Sequence, residues 1–385
     1  MKNLRSRARL SFLVVLLLAV IAAVSPSWAS TGNIEISDLT GSWLVSLHGT
    51  TGCGYVDMEA DVTLSSSGAG TATLITHGQC GDNTLTGQSF TIKTLKTDGQ
   101  GTAGLSCGTA CGWNFDIQVS PDRSKFNLVD VSSANPGNYV EGEAVLQSPK
   151  GNISISDLTG SWQATLFGIT GCGTGSTVLN FTLNTSGVAS TVDETNHTTG
   201  CGTSSGKYEL TILTLNPDGS GTANISCGAG CGWNFDIQVS PDRSAFNLVD
   251  VSKENPGNFQ AGAAINNSTA GRVVPADLAG NWTLVQYGTG GCGVETMAAT
   301  FTLSAGGSST NATEYPHSGC GNTVTTGNTF TITSLNADGS GTANLTCGTD
   351  CGFNYAIQVA ADRSTFNLVD VKDGGNYWVG TAIHE

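Results

Sequence analysis

Apolar and polar residues alternate with a period of two along most of this chain. In residues 56–64 every second side chain is apolar, and those between them are mainly acidic. Residues 113–119 alternate in the same way, with aromatic and aliphatic side chains set against asparagine, aspartate and glutamine. This period is typical of β-strands with one apolar and one polar face, and no long stretch follows the helical period. The sequence therefore predicts an all-β protein.

Turn-forming sequences such as Asp98-Gly99 and Pro121-Asp122 separate these runs at short intervals. In the first third of the chain we predict about eight strands, near residues 42–49, 56–65, 70–76, 88–96, 101–107, 112–120, 125–132 and 138–146. Because every connection is short, sequential strands should pair antiparallel. Eight such strands commonly close into an up-and-down barrel, and an open β-sandwich is the alternative.

The whole pattern occurs three times. A segment beginning Cys-Gly-Trp-Asn-Phe-Asp-Ile-Gln-Val starts at Cys111 and again at Cys231, and a close variant starts at Cys351. The step between copies suits a small independent domain and is too long for a solenoid repeat. We expect three tandem barrels, at residues 33–147, 152–265 and 273–385. Short polar linkers should join them as beads with limited freedom.

The first 29 residues resemble a signal peptide. A basic start precedes an almost wholly apolar run from Leu10 to Val24, and small residues at Ser27 and Ala29 suit cleavage after Ala29. The apolar run is too short for a convincing membrane span. The mature protein is therefore expected to be secreted or periplasmic, with no membrane insertion after cleavage.

The charge balance narrows the possible partners. The chain has 15 basic and 30 acidic residues. Removal of the signal peptide takes away four basic residues, which leaves 11 against 30, a net charge of −19. Nucleic acids and anionic membrane surfaces are bound by clustered lysine and arginine, so neither is an expected partner.

Twelve cysteines, four in each repeat, are the strongest chemical feature. An even number at repeated spacing in an exported chain indicates disulfides. One pair in each repeat flanks a three-residue turn and can face across a hairpin, and the other two cysteines then pair by elimination. The expected bonds are Cys53–Cys80, Cys107–Cys111, Cys172–Cys201, Cys227–Cys231, Cys292–Cys320 and Cys347–Cys351, which gives two disulfides per domain.

A thiolate metal site is the alternative use of these cysteines. One histidine precedes the second cysteine of each repeat, at His77, His197 and His317, but its distance from that cysteine varies. The cysteine spacing also differs from that of a common zinc ribbon. We therefore expect loop histidines, no metal site and no cofactor.

Polar residues on the central strands form the candidate ligand-binding set. They would line the barrel if it encloses a polar cavity, and otherwise they would lie on its outer wall. The set comprises Asn114, Gln118, Asn127 and Asp130, then Asn234, Gln238, Asn247 and Asp250, then Asn354, Gln358, Asn367 and Asp370. Arg123 is expected to brace a turn through Asp122. The aromatic residues that alternate with this set, such as Trp113, are expected to belong to the core.

Each repeat opens with Asp-Leu-Thr-Gly-Ser-Trp, at Asp38–Trp43 and Asp157–Trp162, or with Asp-Leu-Ala-Gly-Asn-Trp, at Asp277–Trp282. This resembles the Gly-x-Trp opening of the first strand in the calycin group, the lipocalins and avidins. The segment Asp218–Ala223 is similar to an avidin hairpin. The resemblance implies a barrel with an apolar mouth. The avidins' polar ligand-binding residues have no counterparts here, so biotin binding is not implied.

No nucleophile elbow, phosphate-binding loop or spaced carboxylate pair is present, so no catalytic residue is assigned and the protein is expected not to be an enzyme. Two functions remain. The repeats could form an extracellular structural or adhesive module, in which three domains add multivalent contacts to a surface or allow self-association. Alternatively, each barrel could bind a small apolar or glycan ligand, as the calycin resemblance implies.

Overall fold

The computed structural model describes residues 33–108, 112–131, 137–148, 151–226, 232–251, 258–267, 271–347, 351–370 and 375–385. The predicted signal peptide lies outside the described residues. Residues Ile34–Glu385 form one compact unit.

Three closed barrels of eight antiparallel strands make up this unit, and in each the strands pair in chain order. Barrel 1 comprises β1 (Gly41–Thr51), β2 (Gly54–Leu64), β3 (Ala69–Gly78), β4 (Asn83–Leu95), β5 (Gln100–Ser106), β6 (Gly112–Val119), β7 (Lys125–Val129) and β8 (Tyr139–Leu146). Barrel 2 comprises β9 (Gly160–Thr170), β10 (Gly173–Leu183), β11 (Val188–Thr198), β12 (Gly202–Leu215), β13 (Ser220–Ser226), β14 (Gly232–Val239), β15 (Ala245–Val249) and β16 (Phe259–Asn266). Barrel 3 comprises β17 (Gly280–Gly290), β18 (Gly293–Leu303), β19 (Ser308–Ser318), β20 (Thr325–Leu335), β21 (Ser340–Cys347), β22 (Cys351–Val359), β23 (Thr365–Asp370) and β24 (Tyr377–His384). The predicted up-and-down barrels are confirmed, and the sandwich alternative is wrong.

One end of each barrel is closed by the opening motif of the repeat. In barrel 1 a 3-10 helix, Ile36–Leu39, runs directly into β1. The indole nitrogen of Trp43 donates a hydrogen bond to the Leu39 carbonyl oxygen at 2.8 Å, and the Trp43 ring lies 4.9 Å from that of Phe126. Barrels 2 and 3 repeat this arrangement with 3-10 helices at Ile155–Leu158 and Pro275–Leu278. The tryptophan therefore fills the closed end of the barrel.

Arg123 braces this closed end. Its backbone is left-handed, with φ of 61°, and its Nε lies 3.6 Å from a carboxylate oxygen of Asp38. Asp122 instead accepts hydrogen bonds from the hydroxyl groups of Ser120 and Ser124. Arg123 Nη1 also donates to the Pro121 carbonyl oxygen at 2.5 Å, so the arginine braces its own turn through Pro121 rather than through Asp122, and it reaches the opening motif as well.

The three disulfides that link distant segments have the predicted pairing, one in each barrel. Their Cα–Cα distances are 5.4 Å for Cys53–Cys80, 5.3 Å for Cys172–Cys201 and 5.4 Å for Cys292–Cys320. Each ties the β1–β2 connection, or its equivalent, to the β3–β4 connection at the end of the barrel opposite the tryptophan.

The predicted short-loop disulfides lie partly outside the described residues. Cys107 is disulfide-bonded, and its expected partner Cys111 is not described. Cys227 and Cys231 both fall outside the described residues. Cys347 and Cys351 occupy opposite positions in the backbone register of β21 and β22.

The barrels pack against one another in a closed ring, which corrects the expectation of separate beads. Strands β1 and β2 of barrel 1 contact β16 of barrel 2, and β10 of barrel 2 contacts β24 of barrel 3. Strands β17 and β18 of barrel 3 then contact β8 of barrel 1. Each barrel thus offers its first strands to the last strand of the next barrel, which is the head-to-tail contact that closes a ring.

The three interfaces share a histidine–aromatic contact near the disulfide end. The ring of His77 lies 4.8 Å from that of Phe259, and the other two pairs are His197–Tyr377 at 4.7 Å and His317–Tyr139 at 4.8 Å. All three histidines are buried. The expectation of loop histidines is therefore wrong, because they end a strand and pack against the neighbouring barrel.

A hydroxyl group crosses two of the three interfaces at equivalent positions. Thr296 donates to the backbone oxygen of Asp130 at 2.6 Å, and Ser176 donates to that of Asp370. At the third interface the equivalent residue is Asp57, which is fully buried near Asp250. Burial, and then the charge of Asp250, raise the pKa of Asp57 well above its usual value. A carboxyl group whose neutral form is favoured by burial thus stands where the other interfaces have a hydroxyl group.

Replacing this carboxyl group with a hydroxyl group should stabilise the protein. We expect Asp57→Ser to raise the free energy of unfolding by about 1–3 kcal/mol at pH 8, because an acid with a raised pKa loses stability as the pH rises through that pKa. The gain should shrink as the pH falls through about 4, because Asp57 then becomes protonated in the unfolded chain as well. Urea denaturation at the two pH values measures it. Ser176→Ala is the control and should destabilise at both, and an equal gain at both pH values would contradict the interpretation.

Candidate functional site

The open end of barrel 1 contains a cavity of about 690 Å³, within the size range of small-molecule sites. Its lower wall is formed by the apolar side chains of Val56, Met58 and Trp113, and its rim by Asp82 and Asn138 together with Thr51, Thr76, Asn83 and the Cys53–Cys80 disulfide. We call this set the barrel 1 mouth.

Strand geometry directs the apolar wall inward. Val56 and Met58 occupy alternate positions of β2, and Trp113 begins the alternating run of β6, so all three face the barrel axis. Trp113 is 7% exposed, and its indole nitrogen has no hydrogen-bond partner in the described part of the protein. Below this wall the side chains of the hydrophobic core fill the barrel. The cavity is therefore a cup with a closed base.

Barrel 3 fills the corresponding space with its own side chains. Trp378 of barrel 3 lies opposite Gly288 on the neighbouring strand. The equivalent pair in barrel 1 is Val140 opposite Gly49. The Trp378 ring packs edge-on against Phe353, the counterpart of Trp113, at 5.3 Å. A Cβ atom at Gly288 would come within 2.4 Å of the Trp378 ring. Gly288 thus makes room for the Trp378 ring. Barrel 1 has the equivalent glycine, Gly49, but the smaller Val140 in place of the tryptophan.

The mouths of barrels 2 and 3 also carry buried acidic groups. Glu194 and Glu314 are 5% exposed, and barrel 1 has Leu74 at the equivalent position. In barrel 2 the ring of Tyr208 lies 6.2 Å from that of Trp233. In barrel 3, burial and then the Glu314 carboxylate raise the pKa of Glu295 to about 7. These differences make barrel 1 the repeat with an apolar mouth.

The predicted ligand-binding residues lie elsewhere. Gln118 and Asn127 are fully buried and contact each other, since the Gln118 backbone nitrogen donates to the Asn127 side-chain oxygen at 3.0 Å. The Gln118 amide also donates to the Asp98 carbonyl oxygen at 2.8 Å, and the Asn127 amide donates to the Thr381 carbonyl oxygen of barrel 3 at 3.2 Å. These bonds stabilise a turn and a barrel interface.

The equivalent residues of the other repeats are placed similarly. Gln238, Gln358, Asn247, Asn367 and the three aspartates Asp130, Asp250 and Asp370 are buried. Asn114 and Asn354 are exposed, and Asn234 accepts a hydrogen bond from Asn224 at 2.8 Å. None of the twelve residues lines the barrel 1 mouth. A ligand role for them stays a prediction.

Sequence reasoning assigned Trp113 to the core and did not single out Val56, Met58 or Val140. A usable indication was present in the differences between repeats. Most core positions repeat with similar apolar residues, but Val140 is replaced by Gln260 in barrel 2 and by Trp378 in barrel 3. Since the three copies share one fold, this variation at Val140 and its counterparts indicates that the barrel interiors differ there.

A second polar region lies where the three barrels meet. His48 Nε2 lies 3.3 Å from a carboxylate oxygen of Glu141, and both side chains are buried. Burial raises the pKa of Glu143 to about 7, although the charge of Lys125 opposes this. His48, Glu141 and Glu143, with Ser46, border a central cavity of about 20 Å³, which has room for about one water molecule. The region is too small for an organic ligand.

Three aspartates converge at the closed end of the ring. Single carboxylate oxygens of Asp122, Asp242 and Asp362, one from each barrel, lie within 4.8 Å of one another. Lys125 is fully buried beside them, at a position where barrels 2 and 3 have Ala245 and Thr365. Burial lowers the lysine pKa, but the surrounding carboxylates outweigh it and the pKa is raised. A charged ammonium group of the protein itself therefore partly neutralises the three aspartates.

Removing that charge should expose the repulsion among the aspartates. We expect Lys125→Met to lower the free energy of unfolding by about 1 kcal/mol at neutral pH, because the exposed carboxylates lose their counter-charge. Millimolar calcium, an ion that prefers carboxylate oxygens, should restore part of the loss in the variant and have little effect on the unaltered protein. Thermal unfolding with and without calcium measures both effects. Equal stability of the two proteins would contradict the assigned role of Lys125.

No protein-family model and no curated protein matches the chain significantly. The solved structures that match the chain include a protein of unknown function from the DUF3598 family of Nostoc punctiforme. It shares 13% identity, over 60% of this chain and 99% of that one, with a TM-score of 0.21. Transferrin binding protein B of Neisseria meningitidis shares 10% identity, over 85% of this chain and 66% of that one, with a TM-score of 0.29.

The disulfides indicate an extracytoplasmic location. Among the described residues, no helix has the length and apolar character needed to span a membrane.

Proposed function

We propose that this is a secreted or periplasmic, non-enzymatic binding protein whose barrel 1 mouth takes a small apolar ligand. The observation that supports the proposal most directly is the cavity of about 690 Å³ with its wall of Val56, Met58 and Trp113. Burial of a ligand's apolar surface against such a wall is favourable by about 25 cal/mol per Å².

The differences among the three repeats support a binding function for barrel 1. A purely structural barrel gains stability from a filled interior, since empty volume next to a core costs packing contacts. Barrel 3 places Trp378 in this space, whereas barrel 1 has the smaller Val140 above the same glycine. Barrel 1 thus keeps space that its own fold can fill.

An adhesive or structural module is the second candidate, and the ring supports it. The aspartates that converge at one end belong to the closed ends of all three barrels, and the histidine–aromatic contacts lie at the disulfide ends. The three mouths therefore open on the same face. One compact unit that presents three rims in one direction suits multivalent contact with a surface.

Filling the barrel 1 mouth with the residue that barrel 3 uses should weaken ligand binding. We expect Val140→Trp to weaken the binding of a neutral fluorescent probe such as Nile red by at least about tenfold, because the indole ring would occupy the cavity beside Trp113. Fluorescence titration measures the affinity. The reciprocal variant, Trp378→Val, should open a second cavity and leave the affinity of barrel 1 unchanged.

Circular dichroism and thermal unfolding of both variants control for loss of the fold. Unchanged probe affinity in a folded Val140→Trp protein would overturn the proposed binding site. An unaltered protein that binds no probe, yet attaches to surfaces or to itself, would favour the adhesive module.

A further inference from the structure

The rim of the barrel 1 mouth carries a negative charge at Asp82. Among the described residues that line the mouth, this is the one formal charge, and neither lysine nor arginine is present. Residues 109–111 and 132–136, which adjoin Gly112 and Gly137 in the chain, fall outside the described residues, and their sequence contains no charged residue. The mouth therefore combines an apolar wall with a negative rim.

The charge of Asp82 is more than its contact within the protein requires. Its carboxylate accepts a hydrogen bond at 2.5 Å from Nδ1 of the buried His77. In barrel 2 the hydroxyl group of Thr203 lies 2.9 Å from the equivalent histidine nitrogen, and in barrel 3 the side-chain oxygen of Asn322 lies 3.1 Å from it. Both of these partners are neutral, so the histidine needs a polar partner at this position and not a charge.

The Asp82 carboxylate is also placed where a ligand can use it. Its side chain is 23% exposed, and it borders the same cavity as the apolar side chains of Val56 and Met58. A neutral imidazole donates from Nδ1 and leaves the carboxylate charge in place. An ammonium group at the rim would regain at Asp82 part of the hydration that it loses, through a hydrogen bond between two charged groups. A carboxylate ligand would meet repulsion there instead.

We propose that the barrel 1 mouth selects apolar organic cations, such as a hydrophobic amine, with Asp82 as the residue that determines this specificity. The apolar part of the ligand lies against Val56, Met58 and Trp113, and its ammonium group lies at the rim beside Asp82. This inference rests on the proposed function and names the ligand class of the same site. Barrel 1 is thus the repeat that has both the apolar space and a carboxylate at this rim position.

Three probes with one ring system test the charge preference: 2-naphthylmethylamine, 2-naphthalenemethanol and 2-naphthylacetate, which are a cation, a neutral molecule and an anion at pH 7. Each is titrated by displacement of Nile red. We expect the amine to bind about fivefold more tightly than the alcohol, and the alcohol about fivefold more tightly than the anion.

A substitution copied from barrel 3 tests the role of Asp82. Asp82→Asn introduces the residue found at Asn322 and keeps a side-chain oxygen for His77. It should bring the amine to within about twofold of the alcohol and leave the alcohol affinity unchanged within about twofold, so the alcohol reports on the integrity of the mouth. Asp193→Asn is the matched control, because it removes an exposed carboxylate from barrel 2. This control should leave the order and spacing of the three affinities unchanged.

The outcomes separate the ligand class from the proposed function. Alcohol binding as tight as amine binding in the unaltered protein would overturn the selection of cations, and an amine preference that survives Asp82→Asn, or that Asp193→Asn removes equally, would overturn the role of Asp82. In each of these cases the proposed function would stand. Failure of all three probes to bind, or binding that Val140→Trp leaves intact, would overturn the proposed function itself.

Discussion

The packing of each barrel's first strands against the last strand of the next barrel is the constraint on which this structure depends. A hydrophobic cluster at this junction draws on all three barrels, with Tyr55 from the first, Phe167 from the second and Tyr287 from the third. The hydroxyl group of Tyr287 also bonds to Thr50 across the ring at 2.8 Å. Because the contact is head-to-tail and closes after three steps, every barrel is held by two neighbours. This fixes the mouths on one face and the aspartates at the opposite end.

The ring is built from similar repeats, but its centre is chemically uneven. Barrel 1 contributes the ionisable residues His48, Glu141, Glu143 and Lys125, whereas the matching positions of barrels 2 and 3 are mostly apolar or neutral. Burial raises the pKa of Glu143 to about 7, so in the folded protein the group takes up a proton at a pH where the unfolded chain has lost it. The folded ring therefore gains stability from this group below its unfolded pKa and loses it as the pH rises through 7.

The local pattern of the sequence was sufficient to predict the three barrels, but it was insufficient to predict how they pack into a ring. Period-two alternation fixed the number and order of strands, and cysteine spacing fixed the long-range disulfides. Residues such as His48 and Glu141 lie on the polar side of this alternation, so they resemble a solvated face. The structure buries them against another barrel. Nothing within one repeat distinguishes an outer face exposed to water from one covered by a neighbour.

The mouth could have been located from the sequence only by comparing the copies with one another. The tryptophans at the closed ends, Trp43, Trp162 and Trp282, are the same in all three because each accepts the same packing and makes the same hydrogen bond. Val140 and its two counterparts differ because the open end of the barrel places no such demand on them. Residues at the closed ends therefore stay the same because the fold requires them, whereas residues at the open ends can change, and with them the space inside each mouth. In this chain, divergence has left apolar space in barrel 1, and acidic or aromatic side chains in the other two.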